Sequence, residues 1–155
     1  MAQPPNASRR FSETRQADIA LLVDSGPLYA YVDQDDRHHR ACLDLLLSHV
    51  GPLVVPTLAI TEVSYLIEKR LGPQAEVLFL GDLSSGAFAV EPVSPADWLR
   101  IAELIWNYRD LPLGTVDASV VRTGERLGIR EVATLDHRHF SVVRPSHAPA
   151  FELLP

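Results

Sequence analysis

Ala20-Leu21-Leu22-Val23-Asp24-Ser25-Gly26-Pro27-Leu28 decides how the rest of the chain is read. Its four apolar residues are too few for a helix and apolar enough for a strand buried on both faces. They pass straight into a carboxylate and then into Gly-Pro, which ends a strand. The strand therefore carries Asp24 to its C-terminal tip. In open α/β sheets, ligands gather in the crevice outside the carboxyl ends of the strands, so an acid delivered there stands where chemistry is done. An acid after a buried strand also suits the cap of the next helix, and taken alone Asp24 fits both roles.

Working outward, strand and helix patterns alternate. Leu28–Val32 predicts a short helix, and a helix starting near Arg37 carries Leu43, Leu46, Leu47 and Val50 at helical spacing until Gly51-Pro52 stops it. Leu53-Val54-Val55 is a second buried strand. The helix of residues 57–71 follows, with Leu58, Glu62, Tyr65 and Leu66 on one side by i,i+3 and i,i+4 spacing, which sets a carboxylate beside an apolar, inward-facing stripe. A helix over 74–83 and a strand over 87–93 come next, the strand placed near a sheet edge by Pro92. Ser94-Pro95-Ala96-Asp97 is a helix start with Ser as N-cap, Pro at N1 and Asp at N3. The aromatics of that helix, Trp98 and Tyr108 among them, interleave with aliphatics and read as core or interface. A Pro/Gly loop then leads to a helix that opens near Asp117 and ends near Gly128. Glu131–Asp136 reads as a fourth strand ending in a carboxylate, and Val142-Val143 as a short fifth strand.

The alternation implies one α/β domain: a mostly parallel central sheet of four to five strands with helices on both faces. At 155 residues the chain can bury about 68–70% of its unfolded surface, an ordinary single core. The expected organisation is a tail over 1–17, the domain over 18–145 and a C-terminal tail over 146–155. The single cysteine, Cys42, lies among apolar helical residues and reads as a small buried hydrophobe. No apolar run approaches the ~20 residues of a membrane span, so a cytoplasmic location is expected. The net charge of −6 argues against holding nucleic acid by bulk charge.

In a parallel sheet all strand C-termini share one edge, so Asp24 and Asp136 emerge together. Glu62 and Asp117, on helices that start at that edge, lean over it. Two unit charges ~4 Å apart repel by about 4 kcal/mol at an effective dielectric of 20, so four carboxylates in one pocket require a counter-charge. Oxygen-only ligands at an open edge suit Mg²⁺ or Mn²⁺, whereas zinc favours Cys or several His. Ser25, Thr115, Ser119 and Thr134 are candidates to orient the acids by hydrogen bonds. Arg109, Arg122, Arg126, Arg138 and Arg144 are candidates to track phosphates or to form structural ion pairs. His38-His39 are adjacent in a helix start and point about 100° apart, which does not suit two ligands of one ion.

Val23-Asp24-Ser25, Thr61-Glu62, Val116-Asp117-Ala118 and Thr134-Leu135-Asp136-His137-Arg138-His139-Phe140 together resemble the dispersed motifs of PIN-domain ribonucleases, in particular the VapC toxins of bacterial toxin–antitoxin pairs. The similarity runs from about Ile19 to Pro145. The resemblance implies that Asp24, Glu62, Asp117 and Asp136 bind Mg²⁺ or Mn²⁺ and that the protein is an endoribonuclease acting on tRNA or rRNA. It also implies a cognate antitoxin that blocks the site, and a homodimer. Receiver-like and dehalogenase-like phosphohydrolases also gather acids and Mg²⁺ at strand ends. They need a lysine beside the phosphoryl group, and the only lysine here, Lys69, lies near the end of a helix away from that edge. A PIN-like fold serving only as a binding module is the remaining alternative, and it would be marked by loss of an acid; all four are present.

Overall fold

The computed structural model describes residues 19–155. The proposed N-terminal tail lies outside the described residues. Five strands, β1 (Leu21–Val23), β2 (Leu53–Pro56), β3 (Ala89–Glu91), β4 (Glu131–Ala133) and β5 (Glu152–Leu154), form one sheet in the order β3-β2-β1-β4-β5. Every neighbouring pair is parallel. From β1 the chain builds outward through β2 and β3, then returns to place β4 on the other side of β1. The strand order thus reverses between β1 and β4, and in open α/β sheets the crevice outside the carboxyl ends at such a switch point is where ligands bind.

The alternation of side chains along these short strands splits the core in two. Leu21, Val23, Val55 and Ala133 face one layer of helices: α1 (Ser25–Val32), α2 (His39–Ser48), α3 (Thr57–Arg70) and α4 (Pro73–Ser85). Ala20, Leu22, Val54 and Val132 face the other layer, made by α5 (Pro95–Asn107), α6 (Thr115–Leu127) and α7 (His137–Val142). Cys42 is fully buried, and β3 lies at a sheet edge, both as read from the sequence. Among the described residues, no helix is long and apolar enough to cross a membrane.

Four expectations are corrected. Helix α1 starts at Ser25, because Asp24 caps it and Gly26-Pro27 fit its first turn rather than a loop. On α2 the inward residues are Cys42 and Leu46, while Leu47 and Val50 are exposed. On α3 the buried stripe is Ala59, Val63 and Ile67, which leaves Tyr65 and Glu62 exposed. Val142-Val143 is no strand: Asp136 caps α7 and Val143 ends it.

The fifth strand is instead Glu152–Leu154, inside the stretch expected to be a tail. Phe151 anchors it, packing edge-on against Phe140 with ring centroids 6.3 Å apart. Space for that ring exists because α6 carries no side chain at Gly124, where a Cβ would stand 2.9 Å from the Phe151 ring. Helices α5 and α6 are joined by buried charge. Asp97, 3% exposed, closes the capping box with Ser94 and accepts from Arg122 Nε at 2.6 Å. Arg100 forks onto Glu125 with bonds of 3.0 and 2.8 Å.

If β5 belongs to the folded domain, Phe151→Ala should lower the unfolding free energy by about 3–5 kcal/mol in a denaturant titration. A loss under about 1 kcal/mol would return residues 146–155 to the status of a dispensable tail.

Candidate metal centre at the β1/β4 edge

Asp24 stands at the carboxyl end of β1, beside β4, at the point where the strand order reverses. It follows the fully buried Val23 and is itself only 3% exposed. Its Oδ1 accepts from the Ser25 backbone N–H at 2.7 Å, which fixes the start of α1. Its Oδ2 accepts from the Thr134 hydroxyl at 2.9 Å. The same Thr134 oxygen accepts from the Asp136 backbone N–H at 3.0 Å, so one hydroxyl ties the tip of β1 to the turn after β4. Each Asp24 oxygen keeps a lone pair beyond these bonds.

Asp117 and Asp136 come to the same edge from two helix starts. Asp117 lies in the first turn of α6, where the helix N-terminus favours a carboxylate, and Asp136 is the N-cap of α7. Asp136 is therefore not the last residue of a strand, since β4 ends at Ala133. Glu62 sits on an exposed position of α3 at the rim rather than on an inward stripe.

Electrostatics place all four acids in one field. Burial pushes the Asp24 carboxyl up to about 6, against the opposing bonds from Thr134 and the Ser25 N–H, and the charges of Asp117 and Glu62 push the same way. The Asp117 carboxyl is raised as well, by burial first, with His139 opposing and with Asp136 and Glu62 adding to the rise. Two carboxyls raised first by burial and then by neighbouring acids, at the carboxyl edge of a parallel sheet, make this a candidate site whose charge a cation would relieve.

His139 completes the cluster and was not anticipated. Its Nδ1 lies 2.7 Å from Asp136 Oδ2 and 3.0 Å from Asp117 Oδ2. Ligand atoms of Asp117, Asp136 and His139 all lie within 4.8 Å of one another, a set able to hold an ion. The signal available in the sequence was the spacing Asp136-x-x-His139: an N-cap carboxylate bonds the backbone N–H three residues on, here at 3.1 Å, which folds that residue's side chain back over the cap.

Of the expected supporting groups, Ser25 and Thr134 touch Asp24 as described. Ser119 instead donates to the Val116 carbonyl of its own helix at 2.6 Å, and Thr115 is exposed at the start of α6. Among the arginines, Arg122 is committed to Asp97, and Arg126 reaches Glu91 at 3.0 Å and Asp97 at 3.4 Å. Both brace the α5–α6 side of the fold and do not line the crevice as free cations. Arg138, two residues after Asp136, and Arg109, stacked 4.7 Å over the Trp106 ring, are exposed. Arg144 is exposed and bonds the Ser141 carbonyl. His38 and His39 diverge: the His39 ring bonds the Ala30 carbonyl, while the His38 ring accepts from Arg37.

A family model for the PIN domain matches residues 21–144. Ribonuclease VapC26 of Mycobacterium tuberculosis is 32% identical over 135 residues, which cover 87% of this chain and 100% of that protein. Among solved structures, Mycobacterium tuberculosis VapC20, a sarcin–ricin loop cleaving toxin, superposes with a TM-score of 0.72 at 19% identity, over 79% of this chain and 95% of that one. VapBC2 from Rickettsia felis, bound to a promoter DNA fragment, gives 0.64 at 12% identity, over 88% and 99%. The five-stranded parallel sheet, the acids at its switch point and a match spanning nearly all of the described chain have one explanation: the protein belongs to the PIN-domain family, as a homologue of the VapC ribonucleases.

Proposed function

We propose that the chain is the toxin of a type II toxin–antitoxin pair, an endoribonuclease that hydrolyses RNA phosphodiester bonds with Mg²⁺ or Mn²⁺ held by Asp24, Glu62, Asp117 and Asp136. The observation that carries this is the convergence of acids on the β1/β4 switch point, with the most buried of them raised to about 6 by burial and by its neighbours. Asp24 is the central ligand, because β1, the Ser25 N–H and the Thr134 hydroxyl leave its carboxylate no freedom to turn. Asp117 and Asp136 are offered from two helix starts, and Glu62 closes the rim. A divalent cation bound there supplies the positive charge against which a scissile phosphate and an attacking water are polarised. Arg109 and Arg138 are the exposed cations suited to RNA phosphates.

Tertiary context supports the partners. Solved neighbours include toxin–antitoxin assemblies, and α4 presents Val77, Leu78 and Leu80 to solvent while Phe79 fills the core, an apolar face suited to an antitoxin or a second copy. A ribosomal or transfer RNA is the substrate class, and the cytoplasm the place of action.

Antitoxin-free protein should cut total bacterial RNA into discrete fragments with Mg²⁺ or Mn²⁺ and not with EDTA. Asp24→Asn should lose more than about 100-fold of that activity, beyond the 10–100-fold typical of changes to groups that only orient a ligand. Fragments that survive EDTA and the substitution unchanged would refute the proposal.

Stability gives a second check, with a definite sign. The Asp24 carboxyl ordinarily titrates near 3.8 and stands at about 6 in the folded chain. Between these values the folded state keeps a proton that the unfolded chain has released, so stability falls as pH rises through the window. The penalty is complete above it, at roughly 3 kcal/mol. Metal-free Asp24→Asn should therefore melt roughly 5 °C or more above the parent at pH 8, with the gain gone near pH 4. Added Mg²⁺ or Mn²⁺ should raise the melting temperature of the parent and not of the variant. Equal melting at both pH values, and no response to either ion, would contradict a shared acidic pocket.

A further inference from the structure

The geometry points to His139 as a nitrogen ligand of this metal centre, beside Asp117 and Asp136, which would tilt the site toward Mn²⁺ over Mg²⁺. This inference rests on the metal-dependent reading above and adds a residue to it. Four observations lead there. First, His139 Nε2 lies 3.1 Å from the Leu111 carbonyl oxygen. A carbonyl only accepts, so that nitrogen carries the ring hydrogen, and in the neutral imidazole Nδ1 presents a lone pair. A metal-binding histidine is held in this way, with its second nitrogen donating to a backbone carbonyl.

Second, Nδ1 is buried and yet makes no hydrogen bond, although carboxylate oxygens stand 2.7 and 3.0 Å away. A histidine kept only as a counter-charge to two acids would align an N–H with one of them. Close approach without alignment is what ligand atoms show when their lone pairs converge on a common centre rather than on each other. Third, the separations suit an ion: an octahedral cation with bonds of ~2.1 Å sets neighbouring ligand atoms about 3 Å apart.

Fourth, the three groups are held independently. Asp117 comes from the first turn of α6, while Asp136 and His139 are the N-cap and third residue of α7, locked by the backbone bond between them. The other side of the ring is fixed to the loop before α6 through Leu111. An imidazole among carboxylates changes the balance between these two ions, because Mg²⁺ keeps to oxygen ligands whereas Mn²⁺, a transition-metal ion of similar charge, also accepts a nitrogen donor.

The test uses the full chain without RNA and Mn²⁺ as the probe. Pulsed electron paramagnetic resonance of the Mn²⁺ complex should show ¹⁴N coupling, replaced by ¹⁵N coupling when the protein is grown with ¹⁵N-histidine. His139→Gln should abolish the coupling and weaken Mn²⁺ binding at least about tenfold while leaving Mg²⁺ binding largely unchanged; His137→Gln should do neither. If His139→Gln does not fold, nitrogen coupling that persists unchanged in His137→Gln decides in favour of His139, and its loss there decides against. Mn²⁺ that binds, depends on Asp24 and Asp117, and shows no nitrogen coupling would overturn the role of His139 and leave the proposed nuclease intact. Failure of Mn²⁺ and Mg²⁺ to bind at all would overturn both.

Discussion

One hydroxyl holds the site together. Thr134 donates to Asp24 and accepts from the backbone of Asp136, so it joins the two strand ends that flank the point where the sheet changes direction. The backbone already pairs these strands, with the Asp24 N–H donating to the Ala133 carbonyl at 3.0 Å, and the hydroxyl extends that tie to the Asp24 carboxylate and to the turn that carries Asp136. With it, the deepest acid and the cap of α7 have a fixed separation, and α7 in turn places His139 against Asp117 on α6. Three elements distant in sequence are thereby referred to one buried atom.

The cost of this arrangement is electrostatic. Asp24 is buried after an apolar strand, and the bonds from Thr134 and Ser25 only partly offset the loss of water around it. Asp117 and Glu62 add like charge. Elsewhere in the molecule buried acids are matched to cations: Asp97 to Arg122, Glu125 to Arg100. At the crevice no arginine or lysine ion-pairs with the four acids among the described residues, and His139 is the one basic side chain in contact with them. The contrast between paired acids that build the fold and acids left without a fixed cation is what marks the site. Arg122 and Arg126 belong to the first kind, which is why basic charge counted along the sequence overstates what is free to meet RNA.

Much of this was legible in the residues themselves. The apolar run before Asp24, the Ser94–Asp97 capping box and the glycines that end helices are local signals, and local structure follows them. The four acids could be gathered on one edge by topology alone, because a parallel sheet sends all its carboxyl ends the same way. What escaped depended on contacts between distant residues. Residues 57–71 carry apolar side chains on more than one side, so which stripe faces inward is set by packing against the sheet, and Ala59, Val63 and Ile67 fit where Leu58 and Tyr65 do not. Strand β5 is three residues long, and its anchor Phe151 is meaningful only beside the absent side chain of Gly124. Val142-Val143 has strand-like composition, but the cap supplied by Asp136 commits the preceding segment to a helix, and that commitment also brought His139 into the site.

The most direct measurement is anomalous diffraction at the manganese edge from crystals of the antitoxin-free protein soaked in Mn²⁺ at neutral pH. A site built to be neutralised by a divalent cation predicts an ordered peak among the carboxylates of Asp24, Asp117 and Asp136. No peak there at saturating Mn²⁺, or a peak seated elsewhere on the molecule, would contradict it.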